Sequence, residues 1–153
     1  LNSLSHAYSP RHAARVMMED AEVLTYHGTA SGLAVLAYAD PEFVDAVLSG
    51  PLHSHTAATV ADPEAIRRQL EEVRRSGMAQ SVGGFEAEVH SHAVPVFGAD
   101  RQVIGALAVA APVSRMTPEQ AVLIPAALHR AGQTLTHRIG GAAPADYLQE
   151  AAA

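Results

Sequence analysis

The 153-residue sequence contains no cysteine and no tryptophan, and aromatic residues make up only 5% of it. Without cysteine there is no disulfide, no thiolate-bound zinc and no cysteine nucleophile, a usage that fits a reducing cytoplasm. With so few rings, the core must come from Ala, Val, Leu and Ile, which the 48% hydrophobic content supplies. Positive charge is also scarce. Ten Lys and Arg stand against 16 Asp and Glu, a formal net charge of −6, whereas a surface that grips phosphates carries a basic patch. The basic pairs Arg67–Arg68 and Arg74–Arg75 share one amphipathic stretch and read as a solvated helix face. This segment is therefore not expected to hold DNA by itself. No stretch approaches the ~18 apolar residues of a membrane span, and no basic-then-apolar leader opens the chain. The chain begins at Leu1 without an initiating Met, so a fragment of a longer protein is expected.

The elements that are present alternate between two periods. Ala13 to Met18 reads as a strand centred on Val16, with a turn and a second extended piece from Glu19 to Leu24. Thr29-Ala30-Ser31-Gly32 opens a helical run, Leu33 to Ala39. Asp40-Pro41-Glu42 and Asp62-Pro63-Glu64 are helix starts, with Asp as N-cap and Pro at the first helical position. Phe43, Val44, Val47 and Leu48 line one side of the first of these helices; Ile66, Leu70 and Val73 recur at helical spacing in the second, which Gly77 stops. Ala87–Phe97 and Gln102–Ala111, joined by a Gly98–Arg101 turn, read as an antiparallel hairpin whose near-continuous apolar second strand should be well buried. Thr117-Pro118-Glu119-Gln120 is a capping box opening a helix over 118–138, with a bend expected near Pro125. Gly140-Gly141 closes it, and the Ala-rich stretch 142–153 reads as a flexible tail. Elements in this order predict an α+β domain, an antiparallel sheet with helices packed on it.

Four blocks then resemble one family. His27-Gly28-Thr29-Ala30-Ser31-Gly32-Leu33-Ala34-Val35-Leu36-Ala37, Arg75-Ser76-Gly77-Met78-Ala79, His92-Ala93-Val94-Pro95-Val96-Phe97 and the run from Gly105 to Ala111-Pro112-Val113-Ser114-Arg115 resemble, in order and spacing, the effector-binding domain of IclR-type bacterial transcriptional regulators. The resemblance covers about residues 10–140 and implies a GAF-like fold: a central antiparallel sheet with helices on one face and a ligand pocket on the other. It implies a cytoplasmic homodimer or homotetramer, with DNA contacted only through a helix-turn-helix domain that precedes this segment. The domain is expected over 1–140, lacking the opening strands of the family pattern.

Carried over residue by residue, the resemblance assigns ligand contacts to Ala30, Ser31, Ser81, Val89, Ser91, Ala108 and Ala110. For the Thr29–Gly32 turn there is also a physical reason. A helix start presents unpaired N–H groups and the positive end of the dipole, which suits a carboxylate; the plainer reading is that Thr29 or Ser31 merely caps the helix. Val89 and Ser91 share one face of a strand, His90 and His92 the other. Ala108 and Ala110 stand where family members that bind small oxo-acids carry hydroxyls. Methyl groups there leave a small polar ligand unpaired, so a larger, apolar or aromatic acid is expected. Val82-Gly83-Gly84 replaces the family's acidic pair, and Glu86 or Glu88 could stand in at the pocket mouth, or be solvated loop carboxylates.

Nine histidines are many for this length. His53/His55 and His90/His92 are i,i+2 pairs of the kind that strand-borne metal ligands form, but no third ligand sits at motif spacing. Surface or pocket-rim positions are expected, with His27 structural, and neither metal nor cofactor. No G-x-S-x-G, H-E-x-x-H, P-loop or G-x-G-x-x-G motif is present, so a sensor is favoured over an enzyme; a metal-binding or oligomerisation module is the other alternative.

Overall fold

A computed structural model describes residues 1–2, 4–8, 16 and 24–147. The strand expected over 13–18 and the piece from Glu19 lie outside the described residues apart from Val16 and Leu24.

Three helices come first: α1 (Ala30–Ala37), α2 (Pro41–Ser49) and α3 (Pro63–Ser76). A three-stranded antiparallel sheet follows, β1 (Ala79–Val82), β2 (Val89–Phe97) and β3 (Val103–Pro112), in the order β1-β2-β3. A 3-10 turn over Val113–Arg115 then leads into α4 (Pro118–Arg138). The domain is α+β.

The helix starts are local chemistry. The Thr29 hydroxyl accepts from Gly32 N at 3.0 Å, the Asp62 carboxylate from Ala65 N at 2.7 Å and the Thr117 hydroxyl from Gln120 N at 3.3 Å, each covering one of the donors that a helix start leaves open. Asp40 makes no such bond. Gly77 ends α3 with φ 70°, the left-handed cap that glycine adopts without strain. The two basic pairs of α3 are more than a solvated face. Arg67 reaches Asp45 of α2 at 2.8 Å, and Arg74 Nε donates to the carbonyl of Ala37, the last residue of α1, at 2.6 Å.

Register sorts the side chains. β2 is the central strand, with Ser81–Ser91–Ala110 and Ala79–Ala93–Ala108 as rows across the sheet. Ala79 and Ala93 join Leu33, Leu36, Ile66 and Leu70 in the main core under α1 and α3. Val94, one residue on, faces the other side and meets Gly132 of α4. Helices thus cover both faces of the sheet, which corrects the expectation of helices on one face and pocket on the other. β2 tolerates this because it is buried on both sides over most of its length.

β3 is the second departure. The apolar run from Val103 to Ala111 predicted a well-buried strand, yet most of it is half-buried or exposed, with Ile104 61% accessible. It is the edge strand of the described sheet, and burial of a strand depends on what lies beside it. Beyond α4, the start of the stretch expected as a tail crosses the end of the sheet. Ala142 N donates to Gly98 O at 3.0 Å. The Tyr147 ring packs edge-on against Tyr38 and Phe97, at 5.7 and 5.2 Å between centroids, and its hydroxyl donates to Gly77 O. Residues 148–153 lie outside those described.

Candidate ligand pocket

The N-terminus of α1 is brought down onto the sheet by a close crossing. A methyl on Gly32 would overlap backbone atoms of Thr25 and Tyr26, so the chain entering α1 folds tightly under its first turn. The Thr29 hydroxyl secures that fold by donating to Thr25 O at 2.8 Å while it caps Gly32. Its capping role therefore holds, and it leaves the next two donors open. The amides of Ala30 and Ser31 have no acceptor among the described residues.

Those amides border a small cavity of about 70 Å³ that is partly open to solvent. All seven residues assigned from the sequence meet there: Ala30 and Ser31 at the helix end, Ser81, Ser91 and Ala110 as one row of the sheet floor, with Val89 and Ala108 beside it. Ser81 also donates to Gly28 O at 2.9 Å, tying β1 to the turn. Val16, Leu24, Gly28 and Thr29 complete the wall together with two residues of the loop between β1 and β2, Phe85 and Glu86. Phe85 was not legible as a site residue, because its loop has no motif and reaches the cavity only through the fold. Of the two candidate carboxylates, Glu86 lines the cavity and Glu88 does not.

The loop carrying Phe85 is anchored from the segment before α3. Thr56 and Thr59 donate their hydroxyl protons to Gly83 O at 2.6 Å and to Gly84 O at 2.7 Å. Gly83 has φ 68°, and a side chain on Gly84 would collide with the Ser81 hydroxyl and Gly28 O, so the Gly-Gly step is a steric requirement of the junction. His55 packs against Phe85 with the rings tilted, 4.7 Å between centroids. His27 is buried and structural, its Nε2–H donating to His53 O at 2.9 Å.

His90 and His92 are neither surface nor pocket rim. Both rings are buried on the α4 side of the sheet, away from the cavity, stacked 4.7 Å apart. Register alone gives their common face; their burial comes from α4. Gln80 donates its amide to His90 Nε2 at 2.6 Å. Burial lowers the pKa of both, and His90 lowers that of His92 further. Among the described residues no group of three or more His, Cys, Asp or Glu could hold a metal ion.

A family model of the bacterial transcriptional regulator IclR C-terminal region matches residues 5–137. The chain belongs to the IclR family. Among curated IclR relatives, the Pca operon regulatory protein of Acinetobacter baylyi is 33% identical over 63% of this chain and 35% of its own length. The regulator XynR of Escherichia coli is 30% identical over 76% of this chain and 47% of its own. The chain thus spans less than half of these proteins. A crystal structure of an IclR-type chain from Silicibacter sp. TM1040 superposes with TM-score 0.94 at 69% identity, over 95% of this chain and 57% of that one. An IclR homologue from Microbacterium hydrocarbonoxydans, crystallised with 4-hydroxybenzoate, superposes with TM-score 0.73 at 32% identity, over 86% of this chain and 53% of that one. The fold is the GAF-like fold of IclR C-terminal domains. No helix of the described residues is long and apolar enough to cross a membrane.

Proposed function

We propose that this domain senses a carboxylate-bearing, fairly apolar or aromatic compound in the cavity between α1 and the sheet. The observation that carries the reading is the pairing of two open amides, on Ala30 and Ser31, with a mainly apolar floor in which the methyl groups of Val89, Ala108 and Ala110 flank Ser81 and Ser91. The amides and the helix dipole favour an anion, and the floor favours a hydrocarbon body over a small polar acid. The 4-hydroxybenzoate complex of the Microbacterium relative supports the same ligand type.

In this reading the output is a population shift. An effector that binds one arrangement of a homodimer or homotetramer more tightly than another moves helix-turn-helix domains carried elsewhere in the full-length, cytoplasmic regulator. Differential affinity suffices, and no catalytic step is needed.

A thermal-shift titration with 4-hydroxybenzoate, pyruvate and glyoxylate tests the ligand class. The aromatic acid, at 100 times its Kd, should stabilise the domain by about 2.7 kcal/mol. Tight binding of pyruvate or glyoxylate with none of the aromatic acid would sink the reading.

A further inference from the structure

The cavity carries opposite electrostatic signs at two places. At one is the start of α1, with its open amides and positive dipole end. At the other is Glu86, exposed at the mouth and the one charged side chain among the described lining residues. Its carboxylate has no partner among the described residues: the acidic groups in ion pairs are Asp45, Glu64 and Glu72. Its backbone is held in place. Gly83 N donates to Val89 O at 2.8 Å and Val89 N to Glu86 O at 3.0 Å, while the threonine bonds to Gly83 and Gly84 fix the loop from outside. Phe85, braced by His55, stands beside it as the one ring among the described residues of the wall.

We infer that Phe85 and Glu86 form a second recognition point that selects, among ring-bearing monocarboxylates, those with a proton-donating group at the far end, a hydroxyl or an ammonium. This rests on the reading of the cavity as a carboxylate pocket. A ligand with its carboxylate on the Ala30–Ser31 amides lays its ring along Phe85 and its far end toward Glu86. There an ionised carboxylate accepts a hydrogen bond, and charge-assisted bonds are the stronger kind. A second carboxylate at that place meets a like charge instead, so dicarboxylates are rejected by repulsion.

Isothermal titration of the wild type and Glu86→Gln with benzoate, 4-hydroxybenzoate, 4-(aminomethyl)benzoate and terephthalate tests this. In the wild type the two donor-bearing acids should bind roughly tenfold more tightly than benzoate, with terephthalate weakest. Glu86→Gln should reduce the preference for 4-(aminomethyl)benzoate most and bring terephthalate up to the level of benzoate. Phe85→Ala should weaken all four by similar factors. If all the acids bind and Glu86→Gln leaves their ranking unchanged, the second recognition point is overturned while the carboxylate pocket stands. If none of the four binds, the pocket reading falls and takes this inference with it.

Discussion

At the scale of single residues, the histidines on the α4 side of the sheet set an acid limit on the fold. Burial lowers the pKa of His90, His92 and His129, and the stacked neighbour lowers His92 further. The unfolded chain, whose histidines titrate near 6.5, then binds protons that the folded one does not. Stability is therefore whole above pH 6.5 and declines as the pH falls below it, until the folded-state pKa values are reached. Urea midpoints at pH 7.5 and 5.5 should differ in that sense. His92 Nδ1 has no partner among the described residues, so His92→Leu sacrifices no hydrogen bond at that atom. It should flatten the dependence while keeping most of the stability at pH 7.5. An unchanged slope in His92→Leu would place the proton uptake elsewhere.

At the scale of elements, the caps were the most legible part of the fold and the exposure of strands the least. Thr29, Asp62 and Thr117 cap because their side chains reach donors three residues on, a relation written within four positions of sequence. Periodicity likewise placed Ile66, Leu70 and Val73 on one face of α3. The exposure of β3 and the sealing of His90 and His92 both depend on neighbours distant in the chain, which a local pattern does not record. The cavity divides the same way. Alternation put Val89 and Ser91 on one face and resemblance named the floor, but Phe85 arrives through a loop anchored by Thr56 and Thr59. The seat of α4 gives a test at this scale. A methyl added at Gly132 would lie 2.6 Å from Val94 Cγ2, and Val94 is fully buried and branched at Cβ, with little freedom to turn away. Gly132→Ala should gain helix propensity yet lose about 1–3 kcal/mol net by overpacking. Adding Val94→Ala should cost much less in that background than alone, a coupling that a double-mutant cycle by denaturant melts would expose.

At the scale of the whole molecule, the last described turn bears on where the polypeptide can be cut or extended. Tyr147 closes a cluster with Tyr38 and Phe97, and burial pushes its phenol up to about 12. Its hydroxyl reaches the cap of α3, so one side chain touches the ends of α1, α3 and β2 together. A stop codon after Gly141 would strip this ring from two aromatic partners and open the far end of the main core. Tyr147 is half-buried, so its loss should cost less than the ~3–5 kcal/mol of a fully buried ring, still a sizeable share of a domain's margin of stability. A stop after Ala153, or a reporter fused there, keeps the ring in place. Soluble yield and melting temperature of the two truncations measure the difference. Anyone trimming this domain for a biosensor should therefore treat residues 142–147 as a latch, and attach the tag beyond them.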